Sequence, residues 1–304
     1  MANTPTVSVV IPTRNRPMLL VRAVRSALAQ SVCNIEVVVV IDGHDPASIE
    51  ALTKIADDRV KTVVLPESKG GSEARNLGVG NSSGEFIAFL DDDDEWSERK
   101  LSQQLEIVRT SSAQLPVVTC RLIARRPNCD ELWPIRQMRS GEPMSEYLLC
   151  RGESIRQGEG FIQTSTLLIP RRLLLLVPFT SGLPRHQDWD WLIRVSTHPG
   201  VEFLWVWDPL VIYHIGADSN SVSAGESLSA SLRWINGCHL VTPRARAYFY
   251  ATQIAVRCKT LSTFFSVICN TLRYPRALVI AIGLASVPRN LVYSLRRRSH
   301  VNHA

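Results

Sequence analysis

Residues 86–96 read Phe-Ile-Ala-Phe-Leu-Asp-Asp-Asp-Asp-Glu-Trp, an apolar run that ends in four consecutive aspartates. The apolar run predicts a buried strand, and like charges crowded at its end need a cation, a helix dipole or solvent to offset their repulsion. Oxygen ligands suit Mg²⁺ or Mn²⁺, and Mg²⁺ is usually held by one or two carboxylates together with substrate phosphates. The stretch therefore favours a divalent-metal site in a cleft. A solvated acidic turn is the alternative that the motif alone leaves open.

The chain before this stretch alternates predicted strands with helical segments. Strands are expected at residues 7–11, 35–41 and 60–65, where β-branched and aliphatic residues are concentrated. Such alternation predicts an α/β fold with a mostly parallel sheet covered by helices on both faces. Ligands of such sheets bind at the carboxyl ends of the strands, and both Asp42 and residues 91–94 fall there. We therefore expect these carboxylates to line one crevice.

Four short motifs follow one another over about residues 6–110. They are Ile-Pro-Thr-Arg-Asn-Arg at 11–16, Ile-Asp-Gly at 41–43, Gly-Ser-Glu-Ala-Arg-Asn-Leu-Gly at 71–78 and Phe-Leu-Asp-Asp-Asp-Asp at 89–94. In this order they resemble the nucleotide-binding half of the family 2 glycosyltransferases. The resemblance implies a Rossmann-like GT-A fold and a metal-dependent enzyme that uses a nucleotide-diphospho-sugar and inverts the anomeric centre.

The resemblance also implies which residues bind the nucleotide. Asp42 is expected against the nucleobase, with Pro12 and Thr13 in the loop beneath it and Arg75 close to the base. The motif at 41–43 carries one acid where many relatives carry two. The retained aspartate is the one next to glycine, so the base contact is expected, while the identity of the base stays open.

Within the acidic run, the resemblance implies a DXD-like element at residues 91–93. Four aspartates in a row leave the register open. We assign Asp91 or Asp92 to the ribose and Asp93 to Mg²⁺ or Mn²⁺. A metal that bridges two phosphates stabilises the negative charge that develops on a leaving nucleoside diphosphate.

A second carboxylate motif lies at residues 184–194, Pro-Arg-His-Gln-Asp-Trp-Asp-Trp-Leu-Ile-Arg. The resemblance implies that Asp188 is the general base, with Asp190 as the alternative register. One carboxylate suffices for an inverting transfer, because it needs only to take a proton from the attacking hydroxyl. The neighbouring tryptophans would exclude water or stack on a sugar, and His186 would orient the base. In the alternative interpretation, the carboxylate only caps a helix and the tryptophans pack in the core.

A predicted strand at residues 209–214 ends in His214, and a polar segment follows. Some members of the resembled family close over the diphosphate here, which would involve His214 with Ser219 and Ser221; a purely structural histidine is the equal alternative. Residues 115–185 carry no motif to which we assign chemistry. They are the expected place for acceptor-binding loops.

The charge is distributed unevenly along the 304 residues. After Glu226 there is no acidic residue and there are eleven Arg or Lys, whereas the preceding part carries 23 basic and 28 acidic residues. The last part has helical spacing and includes aromatic residues, which favours lying on an anionic membrane surface. A helical packing domain or an oligomer interface is the alternative. No nucleic-acid motif accompanies the charge, so nucleic acid is not an expected partner.

These observations predict a GT-A domain at 1–225 and a basic helical region at 226–304. The expected reaction transfers a sugar from a nucleotide-diphospho-sugar to a hydroxyl of a glycan or lipid-linked acceptor. Seven cysteines without a CxxC pair, and no recognisable leader, favour a cytoplasmic protein. The basic helical region favours a peripheral position on the inner face of the cytoplasmic membrane. The alternatives are a sugar-nucleotide pyrophosphorylase-like enzyme and a non-catalytic nucleotide-binding protein of the membrane surface.

Overall fold

The computed structural model describes residues 5–151, 158–215, 228–257 and 261–286 of the chain. They belong to two compact units. The first is drawn from residues 1–137 and 158–225, and the second from residues 138–157 and 226–304. The second unit thus includes a segment that interrupts the first unit in sequence.

Nine strands of the described chain form one sheet in the first unit. They are β1 (Val7–Thr13), β2 (Ile35–Asp42), β3 (Val60–Leu65), β4 (Phe86–Phe89), β5 (Glu95–Trp96), β6 (Leu115–Arg126), β7 (Cys129–Trp133), β8 (Leu168–Pro170) and β9 (Val201–His214). The strand order is β3-β2-β1-β4-β8-β6-β9-β5, with β7 paired to β6. Strands β3, β2, β1 and β4 are parallel, as are β6 and β9, while β5, β7 and β8 run antiparallel to their neighbours.

The helices are numbered along the whole chain. The first unit contains α1 (Pro17–Leu28), α2 (Pro46–Thr53), α3 (Gly71–Gly80), α4 (Lys100–Thr110), α6 (Arg171–Leu176) and α7 (Gln187–Val195); the second contains α5 (Met144–Leu149), α8 (Leu228–Gly237), α9 (Pro243–Phe249), α10 (Leu261–Thr271) and α11 (Pro275–Ser286). Pro17 fits the first turn of α1, where no amide donor is needed. Residues three and four apart on α1 then bury one face against the sheet. The predicted α/β class with a C-terminal helical part is confirmed.

The strand register brings the ends of several strands together at one edge of the sheet. Thr13, the last residue of β1, pairs with Ile41 near the end of β2. Because β8 is antiparallel, Leu168 at its start pairs with Ala88 near the end of β4. The residues that follow β4 and the residues that precede β8 therefore meet at the edge where a parallel sheet binds its ligands.

The second unit is helical, and polar contacts join its two sequence segments. Glu146 on α5 accepts hydrogen bonds from Thr242 Oγ1 and Arg244 Nη1, each at 2.9 Å. Trp234 and Phe249 pack with ring centroids 5.4 Å apart. Among the helices that the structure describes, none combines the length and the apolar composition needed to cross a bilayer.

Gly78 on α3 allows the helix to lie directly on the sheet. A Cβ at this position would lie 2.3 Å from Val10 Cγ1 and 3.2 Å from Val40 Cγ2, whereas a Cβ at Gly80 would meet no atom of the described residues within 4 Å. We predict that Gly78→Ala lowers the free energy of unfolding by about 1–3 kcal/mol through overpacking. Gly80→Ala is the control and should change it by less than about 1 kcal/mol. Urea unfolding of both variants measures the difference, and equal effects would contradict the close packing of α3.

Candidate active site

The four aspartates form a turn between β4 and β5, and they differ in accessibility. Asp94 is fully buried. The exposed fraction of the side chain is 7% for Asp92, 24% for Asp91 and 32% for Asp93. Of these three side chains, Asp93 is therefore the most accessible to a ligand. We call residues 91–94 the acidic turn.

The end of β1, the loop after it and α1 supply hydrogen-bond donors to the acidic turn. Thr13 Oγ1 donates to Asp92 Oδ2 at 2.7 Å. Arg16 Nη1 lies 3.0 Å from Asp92 Oδ1 and 3.1 Å from Asp93 Oδ2. Arg22 on α1 donates to the backbone carbonyl of Asp93 at 2.6 Å. Two arginines from this part of the chain thus approach the turn, one at the carboxylates and the other at the backbone.

These donors do not cancel the cost of crowding the carboxylates. Burial and the charge of Asp93 raise the pKa of Asp92 to about 6, in spite of Thr13 and Arg16. Burial and the charge of Asp91 also raise the pKa of Asp93. Burial and the charges of Asp93 and Asp91 raise the pKa of Asp94 well above its usual range. The turn therefore retains an electrostatic strain that a bound cation would relieve.

The segment just before β8 holds the other side of the acidic turn. Gln163 Nε2 donates to Asp91 Oδ2 at 2.8 Å and to Asp94 Oδ2 at 2.9 Å. Ser165 Oγ donates to Asp94 Oδ2 at 2.6 Å and accepts from the backbone N–H of Asp91 at 3.0 Å. No sequence motif indicated a role for either residue. The antiparallel strand that follows is the feature that brings them to the site.

Asp42 lies at the predicted edge and fastens the loop that leads into α3. Its carboxylate accepts hydrogen bonds from Ser68 Oγ at 2.8 Å, from the Lys69 N–H at 2.6 Å and from the Gly70 N–H at 3.0 Å. Gly70 has a φ of 89°, a conformation that suits glycine. The carboxylate therefore fixes the loop that leads into α3 at the end of β2.

Arg75 connects the acidic turn to α7. Its Nη2 lies 2.6 Å from Asp91 Oδ1, and its Nη1 donates to Gln187 Oε1 at 2.8 Å. The guanidinium is 5.7 Å from the ring centroid of Phe179. Gln187 is the first residue of α7, so a single buried arginine joins the acidic turn to the residue before Asp188. The two predicted carboxylate motifs are brought together.

Asp188 and Asp190 have different surroundings. Asp190 is buried and engaged, because it accepts from Thr180 Oγ1 at 2.6 Å and from Arg194 Nε at 2.8 Å. Asp188 accepts a hydrogen bond from the backbone N–H of Trp189 at 2.9 Å. Loss of water around it raises the pKa of Asp188 to about 6. A half-buried carboxylate with a raised pKa suits proton transfer better than one committed to an ion pair.

Two histidines lie beside these motifs. His186 precedes α7 with a φ of 61°, and its ring stacks on Trp189 with centroids 5.0 Å apart. His214 at the end of β9 has Nε2 2.8 Å from Glu95 Oε1, next to the acidic turn. Ser219 and Ser221, the expected companions of His214, lie outside the described residues. The short pairing of β5 with β9 accounts for the position of His214.

The residues of the acidic turn fit a divalent cation that also binds phosphate. Within the ranges that the structure describes, no three His, Cys, Asp or Glu side chains converge on one metal position. An enclosed all-protein metal cage is therefore not formed by these residues. The accessible carboxylate of Asp93 in a strained acidic turn matches the other common arrangement, in which Mg²⁺ is held by one or two carboxylates and completed by substrate phosphates.

Comparison with known proteins identifies the family. The family model described as "Glycosyl transferase family 2" matches residues 8–165, which is more than half of the chain. The chain belongs to this family. It is a glycosyltransferase, and the family decides against the pyrophosphorylase-like and non-catalytic alternatives. Curated relatives of this glycosyltransferase agree: the amylovoran biosynthesis glycosyltransferase AmsB of Erwinia amylovora is 28% identical over 252 residues, covering 80% of this chain and 81% of AmsB.

A second curated relative is WfaP of Escherichia coli, named as a UDP-Glc:alpha-D-GlcNAc-diphosphoundecaprenol beta-1,3-glucosyltransferase. It is 34% identical over 104 residues, which cover 34% of this glycosyltransferase and 41% of WfaP.

Two solved structures share the fold. S. aureus TarS in complex with UDP-GlcNAc has a TM-score of 0.65 at 14% identity. The match covers 90% of this chain and 81% of the TarS chain. Mannosyltransferase PcManGT from Pyrobaculum calidifontis in complex with GDP-Man and Mn²⁺ has a TM-score of 0.55. The match covers 98% of this chain and 80% of the PcManGT chain. The predicted GT-A fold is confirmed.

The surroundings of Asp188 and Asp190 predict opposite effects on stability. Asp190→Asn should lower the free energy of unfolding by about 1–3 kcal/mol, because it leaves Arg194 without its charged partner. Because the pKa of Asp188 is raised in the folded state to about 6, its ionisation destabilises the fold as pH rises from about 4 to 6. Asp188→Asn should therefore leave the free energy of unfolding unchanged or raise it at pH 8, and should raise it by less at pH 5. Urea unfolding at both pH values measures this, and a loss at pH 8 as large as that of Asp190→Asn would contradict the assignment.

Proposed function

We propose that this glycosyltransferase transfers a sugar, with inversion, from a nucleotide-diphospho-sugar to a hydroxyl of a glycan or lipid-linked acceptor, using Mg²⁺ or Mn²⁺. The observation that carries the proposal is the link from the acidic turn through Arg75 to Gln187. It sets a candidate base, Asp188, beside a candidate donor site. The structural neighbours that contain UDP-GlcNAc or GDP-Man support a nucleotide-sugar donor.

On the donor side, the proposal assigns the nucleoside to the crevice between β1, β2 and α3. Asp42 faces the nucleobase above Pro12 and Thr13. Its Oδ1 accepts one hydrogen bond, from the Lys69 N–H, and so keeps acceptor capacity for a base. Arg75 fixes Asp91, which favours Asp91 over the more buried Asp92 as the ribose ligand. His214 stays a proposed neighbour of the diphosphate, because it lies beside the acidic turn through Glu95.

In the reaction, Asp188 accepts the proton of the acceptor hydroxyl while that oxygen forms a bond to the anomeric carbon. The bond from this carbon to the diphosphate oxygen breaks on the opposite face, so the configuration inverts and the nucleoside diphosphate leaves with the electron pair. Asp188 must be ionised, and its pKa of about 6 keeps it ionised at neutral pH while leaving it a usable base. No covalent bond to the enzyme is formed.

Asp93 is the proposed metal ligand because it is the most accessible carboxylate among Asp91, Asp92 and Asp93. A divalent cation at this position would stabilise the charge that develops on the leaving diphosphate. Asp94 has a different proposed task. It is fully buried and held by Gln163 and Ser165, so it fixes the path of the turn.

The acceptor is proposed from the printed names of the relatives. AmsB is named for amylovoran biosynthesis, and WfaP is named for transfer to a sugar linked to diphosphoundecaprenol. These names support a role in polysaccharide biosynthesis and an acceptor of the glycan or lipid-linked class. Such an acceptor would be reached from the cytoplasmic face of a membrane.

The second unit supports a peripheral position on that face. Large apolar side chains are exposed on its last two described helices and in the turn between them: Leu261, Phe264, Phe265, Leu272, Val279 and Ile282. Exposed Arg273 and Arg276 lie in and next to the turn between α10 and α11, and the sequence has no acidic residue after Glu226. An apolar helix face flanked by arginines is complementary to an anionic bilayer surface, because the apolar side chains can enter the bilayer and the arginines can bind its headgroups.

Nucleotide binding tests the donor site. We expect one of UDP, GDP, CDP or dTDP to raise the melting temperature in the presence of Mn²⁺. Asp93→Ala should lose this metal-dependent rise because the proposed ligand is gone, and Asp188→Ala should keep it because the base does not hold the nucleotide. Thermal-shift titration measures all three proteins.

The same samples separate binding from catalysis. Asp188→Ala should lower the rate of sugar transfer or of donor hydrolysis at least about 100-fold, which is the usual contribution of a general base. If no nucleotide stabilises the folded parent protein, or if Asp188→Ala turns over at the parent rate, the proposed function is wrong.

Vesicle binding tests the membrane proposal. The protein should cosediment with vesicles that contain phosphatidylglycerol, and less with phosphatidylcholine vesicles or in high salt, because screening weakens the arginine contacts. The double change Leu261→Ser and Phe265→Ser should reduce binding by removing apolar contact from α10. The matched control is Leu175→Ser with Leu176→Ser, an exposed apolar pair on α6 of the first unit. Recovery of the parent wholly in the supernatant at low salt, or equal loss in the control, would contradict the proposal.

A further inference from the structure

Arg16 bridges the two carboxylates at the accessible side of the acidic turn. Its Nη1 lies 3.0 Å from Asp92 Oδ1 and 3.1 Å from Asp93 Oδ2, so one guanidinium contacts both carboxylates as a cation would. The backbone that carries Arg16 is fixed by its neighbour. Asn15 has a φ of 56°, and its N–H donates to Asp45 Oδ2 at 2.7 Å. The guanidinium is therefore delivered to the turn from an ordered loop.

We propose that Arg16 competes with the divalent cation for Asp93 and turns to the diphosphate when the donor binds, so that metal and nucleoside diphosphate bind cooperatively. This inference rests on the proposed function, because it assigns a task to Arg16 at the same donor site. A positive guanidinium and a divalent cation repel each other when both approach one carboxylate. The metal alone would therefore bind weakly.

The chemistry of the diphosphate provides the other half of the coupling. A guanidinium forms bidentate, charge-assisted hydrogen bonds to phosphate oxygens, and these are stronger than ordinary hydrogen bonds. A diphosphate beside the acidic turn offers Arg16 such a partner and frees the carboxylate of Asp93. By linkage, whatever factor the diphosphate contributes to metal affinity, the metal contributes equally to diphosphate affinity. Arg16 is thus a positioning residue that discriminates against the metal without its phosphate ligand.

Two nearby arginines sharpen the test. Arg22 donates to the backbone carbonyl of Asp93 and pairs with Glu95, so it stabilises the turn without occupying the carboxylate of Asp93. Arg14 lies in the same loop as Arg16 and its side chain is exposed. Arg14→Gln therefore removes one positive charge from the loop and leaves the bridge of Arg16 intact. It is the matched control for Arg16→Gln.

The experiment measures free Mn²⁺ by electron paramagnetic resonance in titrations of the full chain, with and without the nucleoside diphosphate that stabilises the parent. We expect Arg16→Gln to bind Mn²⁺ alone about tenfold more tightly than the parent. The ratio of the Mn²⁺ dissociation constants without and with the diphosphate should fall by about the same factor. Arg14→Gln should keep the parent values of both quantities.

Arg16→Lys covers the case in which Arg16→Gln does not fold. Its ammonium keeps the charge but lacks the planar fork that phosphate recognition uses, so the same ratio should fall below that of the parent. If the parent binds Mn²⁺ in a nucleotide-dependent way and every folded Arg16 variant keeps the parent ratio, the inference about Arg16 is wrong and the proposed function stands. If the folded parent shows no nucleotide-dependent Mn²⁺ binding, the proposed metal-dependent function is wrong, and the inference fails with it.

Discussion

Repulsion among the four carboxylates of the acidic turn is the constraint on which the rest of the site depends. Two unit charges 4 Å apart repel by about 4 kcal/mol at an effective dielectric constant of about 20, so such a turn needs donors on every side. Three separate parts of the chain supply them. The end of β1 and the loop after it provide Thr13 and Arg16, α3 provides Arg75, and the segment before β8 provides Gln163. Burial, together with the charge of Asp93, still raises the pKa of Asp92 to about 6.

The sheet topology explains why these donors arrive at one place. Parallel strands β1, β2 and β4 end at a common edge, which sets Thr13, Asp42 and the acidic turn side by side. Strand β8 runs in the opposite direction, so the residues before it reach the same edge instead of the far one. Arg75 then ties this edge to α7. A site assembled from distant segments thus depends on a few strand pairings and one buried guanidinium.

Much of this arrangement follows from the sequence, because it is encoded locally. β-Branched runs predicted β1 to β3, and the carboxyl ends of the predicted strands placed Asp42 and the acidic turn at one edge. Gln163 and Ser165 were not predicted, since no local pattern distinguishes them and their position depends on a long-range antiparallel pairing. The register within the acidic turn was also open in the sequence. The exposure of Asp91, Asp92 and Asp93 differs and depends on the surrounding fold, so it could not be predicted from the sequence.

The interleaving of the two units has a consequence for how the chain can be divided. Residues 138–157 belong to the second unit, yet both flanking segments belong to the first. Tyr147 and Leu148 of α5 are buried, and Glu146 is bound by Thr242 and Arg244 from the C-terminal part. A chain that ended at residue 225 would keep α5 but lose these partners, which would expose the apolar surface of α5. Evolution by exchange of whole C-terminal segments is therefore constrained, since a replacement must also complement α5.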